Sequence, residues 1–377
     1  MLDPKVGYLA KNIVDYATGV KPNDKVLIEA TDPITYPMVA ELVRQVYAVG
    51  GFPFTHLHAD EVDHALHMGA LAEQYDLEAS FQRARMENMD VFIGIRGSMN
   101  ALNLSDVSAD RMKIFSSTIM KKVHMEVRLP KTRWVVLRFP NSSFAQAAKM
   151  STQQFEDFYF NCCLLNYRQL SIAMDPLVEL MQHTNCVHIK GPGTDLRFSI
   201  KGIPAIKCDG KLNIPDGEVF TAPVKDSVNG VLQTNTPTLY EGNYFSGVRL
   251  VFENGKIVEE SCETGDAVKL KGIFDRDEGS RFVGEFALGV NPEINREMLD
   301  ILFDEKIAGS FHFTPGNSYD EAPNGNKSEV HWDLVTRQFK KDGGGEIWFD
   351  DVLIRKDGIF ILPELEGLNP AAFGVNI

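Results

Sequence analysis

The chain has 377 residues, of which 44% are hydrophobic and 24% are charged, and its formal net charge is −14. This composition excludes a largely disordered chain, and the acidic charge argues against nucleic acid or an anionic membrane surface as a partner. A chain of this length is too long to fold around one simple hydrophobic core, so we expect two domains.

The apolar runs and the cysteines indicate neither a membrane protein nor an exported one. No apolar stretch approaches the ~18 residues that span a bilayer, and the first residues lack the pattern of a signal peptide. The cysteines are Cys162, Cys163, Cys186, Cys208 and Cys262. Five is an odd number, and none stands in a CxxC pair, so neither a disulfide framework nor a thiolate zinc site is indicated. We therefore expect a cytoplasmic protein.

The first 185 residues alternate between helical and strand-like patterns. Residues 5–20 have helical spacing and precede a β-rich run at 25–30, and a second helix at 37–49 leads into a strand at 52–58. The same alternation continues with a helical stretch at 64–88, apolar runs at 89–97 and 132–140, and helices around 143–183. Residues 1–185 are thus predicted to form an α/β domain with a largely parallel sheet.

From residue 186 onward, strand signals dominate. Residues 186–202 read as two short strands around a Gly-Pro-Gly turn, and the pairs Asn254-Gly255 and Asp357-Gly358 are typical of hairpin tips. One helix is predicted over residues 295–307. The sequence therefore predicts a strand-rich α+β domain over residues 186–377.

A first candidate centre lies in the segment HLHAD, residues 56–60. His56, His58 and Asp60 share one face if the strand continues, because strand side chains alternate between faces. Several metallohydrolases hold zinc with an HxH motif at a strand end, and further ligands would have to come from later histidines. A polar strand end beside a helix start is the simpler interpretation of the same residues.

A second candidate centre is dispersed through the C-terminal half. Glu218 and Glu285 each follow a glycine and enter an apolar run, where a buried carboxylate is costly unless it is paired. A metal ion would supply that partner. His331 and Asp333 stand two apart, so on a strand they project to one face about 6.5–7 Å apart. The simpler interpretations need no metal ion. In these, the glutamates lie at a strand edge, and the histidine is held in place by a neighbouring carboxylate.

Four segments of the C-terminal half carry a family resemblance. They are IPDGEVFTAPVKDSVNG, GEFALGVNPEINR, DEKIAGSFH and VHWD, in this order, and their two glutamates, Glu218 and Glu285, are 67 positions apart. Together they resemble the thermophilic metallo-aminopeptidase family, that of aminopeptidases T and S and PepS. The preceding GTDLRFSIKG also resembles the family.

The resemblance implies a dinuclear, metal-dependent aminopeptidase that removes N-terminal residues from short peptides with a metal-activated bridging water. Two divalent ions, zinc, cobalt or manganese, are expected, together with a homodimer. Carried over by motif, the metal ligands are Glu218, Glu285, His312, His331 and Asp333, with Glu305 as a sixth participant. Glu285 is expected to bridge the two ions.

The catalytic roles implied by the resemblance fall on Tyr319, Glu218 and Glu305. Tyr319 would donate to the developing oxyanion, and Glu218 or Glu305 would carry the proton to the leaving amine. The segment FTPGNSYDE keeps Tyr319 but departs from the family pattern around it, which bears on substrate preference. Two alternatives stay open, a metallohydrolase centred on His56, His58 and Asp60, and a catalytically inactive peptide-binding relative.

Overall fold

The computed structural model of the chain describes residues 3–100 and 102–376. Contacts divide the chain into two compact units, each of them assembled from two segments. Unit 1 comprises Met1–Leu164 and Gly210–Pro215, and unit 2 comprises Leu165–Asp209 and Asp216–Ile377. These units are defined by contacts alone, and the domain boundary after residue 185 stays a prediction.

The strands are numbered along the chain. They are β1 (Lys25–Thr31), β2 (Phe52–His58), β3 (Val91–Arg96), β4 (Arg133–Arg138), β5 (Cys186–Gly191), β6 (Thr194–Ser199), β7 (Ile206–Cys208), β8 (Asn213–Ile214), β9 (Glu218–Thr221), β10 (Asn229–Gln233), β11 (Thr238–Tyr240), β12 (Asn243–Phe245), β13 (Arg249–Glu253), β14 (Lys256–Ser261), β15 (Val283–Gly289), β16 (Ser310–Pro315), β17 (Leu334–Arg337), β18 (Glu346–Phe349), β19 (Val352–Lys356) and β20 (Ile359–Phe360).

The α-helices are numbered in the same way. They are α1 (Pro4–Asn12), α2 (Tyr36–Ala48), α3 (Asp60–Gly69), α4 (Ala72–Met86), α5 (Ala109–Phe115), α6 (Leu129–Lys131), α7 (Ser142–Ala147), α8 (Thr152–Cys163), α9 (Tyr167–His183), α10 (Ala267–Phe274) and α11 (Ile301–Asp304). Two π-helical segments, Ile13–Ala17 and Ser116–Arg128, continue α1 and α5, and short 3₁₀ turns occupy several loops. Within the described residues, no helix combines the length and hydropathy needed to cross a bilayer.

Unit 1 is built on a parallel sheet with the strand order β2-β1-β3-β4-β8. Leu27 of β1 and Phe92 of β3 are buried against α4 and the π-helical segment Ser116–Arg128. Helices that cover a parallel sheet bury its strands, and β3 is accordingly buried along all but its last residue. The prediction of an α/β architecture with a largely parallel sheet is confirmed.

Unit 2 is strand-rich, as predicted, and its sheets are antiparallel. Its larger sheet has the order β14-β13-β10-β6-β5-β18-β19-β20, its smaller sheet has the order β17-β16-β15-β9-β7, and β11 pairs with β12. The ring of Phe198 on β6 lies 5.0 Å, centroid to centroid, from the rings of Phe286 and Phe313 on the smaller sheet. The two sheets therefore share an apolar core, and Phe286 and Phe313 define the core-facing side of the smaller sheet.

Two predicted helices differ from the observed ones. The stretch at 64–88 is two helices, because the backbone at Ala70 and Leu71 is extended rather than helical. Of the helix predicted over 295–307, only α11 forms. Leu299 has a positive φ of 55°, which a helix does not allow, and the carboxylate of Asp300 instead accepts the N–H of Leu302 to start α11.

Candidate metal centre

The smaller sheet of unit 2 brings three of the predicted ligands to one face. In the antiparallel register, Glu218 on β9 lies opposite Gly289, Glu285 on β15 lies opposite Thr314, and His312 on β16 lies opposite Ala287. Directly opposed residues share a face, as do residues two apart along one strand. Glu218, Glu285 and His312 therefore project together, away from the core-facing phenylalanines.

Glycines precede both glutamates because other segments approach the backbone closely there. A Cβ on Gly217, whose φ is +132°, would lie 2.9 Å from the Cβ of Asn291. A Cβ on Gly284 would lie 2.2 Å from the carbonyl oxygen of Asn317. Only glycine fits such contacts, which explains the Gly-Glu pairs that mark both strand entries in the sequence.

Glu285 lies between the two histidines. Its Oε1 is 3.3 Å from Nε2 of His312, and its Oε2 is 3.2 Å from Nε2 of His331. The same Nε2 of His312 is also 3.3 Å from Oε2 of Glu218. One carboxylate thus contacts both imidazoles, while a second carboxylate approaches only one of them.

His331 and Asp333 are oriented by neighbouring polar groups. Nδ1 of His331 donates to the carbonyl oxygen of Asn317 at 2.9 Å, which directs Nε2 toward the carboxylates. Oδ1 of Asp333 accepts a hydrogen bond of 2.7 Å from Thr314 and lies 3.5 Å from Nε2 of His331. The expected single strand is interrupted here, since His331 forms an isolated bridge with Gly316 and β17 begins only at Leu334.

A buried lysine that sequence reasoning missed completes the cluster. Lys306 is 1% exposed, and its ammonium donates to Oε1 of Glu218 at 2.8 Å and to Oε1 of Glu305. Oδ1 of Asp216 lies 3.8 Å from the same ammonium. Glu305 therefore joins the cluster through Lys306. A lysine directly after a glutamate and before the apolar Ile307 and Ala308 was the available signal in the sequence.

The residues fit a metal ion by their chemistry and by the polar atoms left without partners. Glu218, Glu285 and His312 are one set whose ligand atoms lie within 4.8 Å of one another, and Glu285, His331 and Asp333 are another. Oε2 of Glu218 and Nε2 of His331 are buried and make no hydrogen bond. Carboxylate and imidazole donors suit several divalent metals. Buried atoms of this kind are costly unless a partner satisfies them.

Ionisation of the cluster follows from its burial and its mixed charges. Burial favours the neutral form of Glu285, but the hydrogen bond from His312 and the positive charges of His312 and His331 outweigh this and lower the pKa of Glu285 to about 2. Burial likewise opposes protonation of both histidines, yet the surrounding carboxylates raise the pKa of His312 to about 9 and that of His331 to about 10. For Glu305, burial dominates over Lys306 and raises the pKa to about 8.

Tyr319 lies beside the cluster. Its ring centroid is 4.7 Å from that of His331 and 5.6 Å from that of Phe220. Desolvation, together with the negative charge of Glu285 and Asp333, raises the pKa of the Tyr319 hydroxyl above its usual value. The hydroxyl therefore stays protonated at neutral pH and can act as a hydrogen-bond donor.

In unit 1, Asp60 is not part of the ligand group that the two histidines of HLHAD form. The Asp60 carboxylate accepts a hydrogen bond from Ser98, and the backbone N–H of Asp60 donates to Oδ1 of Asp32 at 2.9 Å. His56 and His58 instead face Glu29, whose carboxylate the sequence reasoning did not include. A glutamate within the apolar run VLIEA was the available signal.

A comparison with known protein families identifies the family of the chain. A family described as thermophilic metalloprotease (M29) matches residues 2–358. The chain belongs to this family. M29 membership confirms the resemblance predicted from the four C-terminal segments, and it confirms the prediction of a metal-dependent peptidase.

Curated relatives of this M29 chain are named as aminopeptidases. Aminopeptidase AmpS of Bacillus subtilis is 27% identical over 369 residues, which cover 88% of each chain. Aminopeptidase T of Thermus thermophilus is 36% identical over 176 residues, covering 43% of this chain and 40% of the relative. Aminopeptidase PepS of Streptococcus thermophilus is 23% identical over 386 residues, covering 89% of this chain and 92% of the relative.

Two solved structures share the fold of this M29 chain. Wild-type AmpT from Thermus thermophilus superposes with a TM-score of 0.79 at 21% identity, covering 96% of this chain and all of AmpT. The 2,5-dihydroxypyridine dioxygenase of Pseudomonas putida KT2440 superposes with a TM-score of 0.60 at 14% identity, covering 96% of this chain and 98% of the dioxygenase. At these identities the likeness shows the fold.

Proposed function

We propose that this M29 protein is an aminopeptidase that uses two divalent ions to remove N-terminal residues from short peptides. The observation that carries the proposal is the convergence of Glu218, Glu285 and His312, on one face of the smaller sheet, with His331 and Asp333 from the segment before β17. The names of the curated relatives support the same activity.

Two features of the cluster support the binding of two ions: the ligand sets share a residue, and the site carries a large negative charge. The two ligand sets share Glu285, as expected of a carboxylate that bridges two ions. Five carboxylates surround Lys306 and the histidines, which leaves more negative charge than one divalent ion neutralises once the imidazoles are neutral. Zinc, cobalt or manganese suits this donor set. The proposed ligands are Glu218, Glu285, His312, His331 and Asp333, with Glu305 as a sixth participant.

Tyr319 and Glu305 are assigned separate roles in peptide hydrolysis. When bound, such ions would polarise the scissile carbonyl and lower the pKa of bound water to about 7. The Tyr319 hydroxyl donates to the carbonyl oxygen as negative charge develops on it. Glu305, held by Lys306 beside the ligand atoms, carries the proton to the leaving amine, whereas both oxygens of Glu218 are engaged by Lys306 and by the ligand cluster.

Selectivity for the N-terminus follows from the excess of carboxylates. A free α-ammonium group of a peptide gains a charge-assisted hydrogen bond in such a site, and an internal peptide nitrogen does not. Asp333 is our choice for this contact, because the hydrogen bond from Thr314 holds its carboxylate in one orientation beside the ligand cluster. We further propose a homodimer in the cytoplasm, as the family resemblance and the odd number of cysteines indicate.

The experiment is a hydrolysis assay on a panel of aminoacyl-p-nitroanilides, with zinc, cobalt or manganese added to the purified protein. The proposal expects hydrolysis that His331→Ala and Asp333→Ala each abolish. The control variants His56→Ala and His58→Ala keep nearly full activity. Activity lost in the controls but kept in the first pair favours a hydrolase centred in unit 1, and folded, metal-loaded protein inactive on the whole panel favours a peptide-binding relative.

A further inference from the structure

The end of β2 in unit 1 carries two imidazoles next to a carboxylate on β1. In the parallel register, Glu29 on β1 lies opposite His56, and Thr31 lies opposite His58. His56 and His58 are two apart on one strand and share a face, and their ring centroids are 4.1 Å apart. Strand pairing thus gathers three ligand-type side chains that are distant in sequence.

A single oxygen of Glu29 faces both rings. Oε2 of Glu29 is 3.2 Å from Nδ1 of His56 and 3.7 Å from Nε2 of His58. Ligand atoms of all three residues lie within 4.8 Å of one another. Three donors at this spacing can converge on one ion with ligand distances of about 2.0–2.2 Å after small side-chain rotations.

A second carboxylate orients one of the imidazoles. Oδ1 of Asp63, on α3, lies 3.5 Å from Nδ1 of His58, which leaves Nε2 of that ring directed at Glu29. Metal-binding histidines usually have their other ring nitrogen held in this way, by a carboxylate or a carbonyl group. The arrangement around His58 is therefore that of a ligand histidine with its supporting partner.

The side chains are accessible, so an ion can enter. The side chains of Glu29, His56 and His58 are 23%, 28% and 26% exposed. Three protein ligands leave at least one coordination position for water or another molecule.

Positive groups of the neighbouring elements constrain the kind of ion. Arg96 at the end of β3 and Arg128 of the π-helical segment carry charges that interact with Glu29. Arg128 stacks over Trp134 at 4.5 Å and donates to Nδ1 of His124 at 3.1 Å. Nearby cations weaken purely electrostatic binding, which disfavours Mg²⁺ and Ca²⁺, whereas two imidazoles favour zinc, cobalt, nickel or copper.

We propose that Glu29, His56 and His58 form a transition-metal site in unit 1, with Asp63 as the residue that positions His58. The site is separate from the ligand cluster of unit 2 and shares no residue with it. It is also distinct from the alternative hydrolase centre of His56, His58 and Asp60, since Glu29 takes the place that Asp60 would fill. The proposal does not depend on the peptidase function.

The test is a titration of the metal-free, full-length chain with Co²⁺, in which bound equivalents are counted and the visible absorption of coordinated cobalt is recorded. Glu29→Gln and His58→Gln are expected to bind one equivalent fewer than the unchanged chain. Asp63→Asn is expected to keep that equivalent with about tenfold weaker affinity. His64→Gln, on the same helix as Asp63 but paired with Asp106, is the matched control.

A second arm uses a background in which the unit 2 cluster is disabled by Glu285→Gln and His312→Gln. This background is expected to retain one cobalt equivalent, which Glu29→Gln then removes. Circular dichroism checks that each variant is folded. A background that binds no ion, or a folded Glu29→Gln chain that binds as many ions as the unchanged one, overturns the proposal. Peptidase activity is measured separately, and its presence or absence bears only on the unit 2 site.

Discussion

Lys306 and Glu218 form a buried ion pair, with 2.8 Å between the ammonium nitrogen and Oε1. The other oxygen of Glu218, Oε2, has no hydrogen-bond partner and lies 3.3 Å from Nε2 of His312. Because the lysine occupies one oxygen, the carboxylate presents a single oxygen to the ligand cluster. The pair thus fixes the direction in which Glu218 can bind a cation.

Lys306→Met is expected to destabilise the metal-free protein by about 3 kcal/mol, since it leaves Glu218 and Glu305 buried without their cation. Urea unfolding of the metal-free protein measures the change. Lys201→Met, at an exposed lysine of unit 2, is the control and should have little effect. Equal stability of the two variants would show that Lys306 is not required to balance the buried charge.

Metal binding is expected to release protons at pH 7. The pKa of His312 is raised to about 9 and that of His331 to about 10, so both rings are protonated at neutral pH and must lose a proton to coordinate a metal. Apparent affinity should therefore increase with pH between 7 and 10. Calorimetric titrations in buffers of different ionisation enthalpy give the number of protons released.

The raised pKa values of His312 and His331 also predict how the stability of the metal-free protein changes at alkaline pH. A raised histidine pKa contributes stability that is complete below the unfolded value of about 6.5. That contribution is lost as the pH rises through about 9 to 10, where His312 and His331 deprotonate. His331→Gln, measured without metal, should lose less stability on alkaline titration than the unchanged chain. An equal loss of stability in that variant would contradict the assignment.

Tyr319→Phe is expected to lower kcat by about 10²-fold with little change in metal content, because it removes only a donor to the developing oxyanion. Steady-state kinetics together with elemental analysis separates the two effects. Tyr244→Phe, at a partly exposed tyrosine on β12, is the matched control. Loss of bound metal in Tyr319→Phe would instead mark the hydroxyl as a ligand.

Thr314→Val is expected to weaken metal affinity by about tenfold, since Asp333 loses the hydroxyl donor that orients it. Competition with a metal chelator measures the affinity. Thr336→Val, on the neighbouring strand, removes a buried hydroxyl that makes no hydrogen bond and serves as the control. If both variants bind metal as tightly as the unchanged chain, Thr314 does not position Asp333.

The strands around the ligand cluster could be predicted because local patterns define them. Glu218 and Glu285 each follow a glycine and begin an apolar run, and the structure places each in a strand of the smaller sheet. The long helix expected over 295–307 could not be corrected from the sequence. Its interruption depends on the positive φ of Leu299 and on a hydrogen bond from the N–H of Met298 to Asp304, both of which depend on tertiary packing.

The side chains around the ligands could not be predicted in the same way. Lys306 and Thr314 contact Glu218 and Asp333 through pairings between distant segments, and one sequence does not reveal such pairings. The same limit applies to Glu29. The sequence shows which residues share the face of β2, but not that β1 lies beside it with Glu29 opposite His56.

Alternation along β16 has a consequence for folding. His312 lies between Phe311 and Phe313, which are fully buried on the opposite face of the sheet. A pairing error of one residue would turn the imidazole into the hydrophobic interior and bring an aromatic ring to the acidic groups. Chains that mispair β15 and β16 would thus be unable to bind metal ions. The amount of metal bound after refolding would therefore measure the fraction of molecules with the correct strand register.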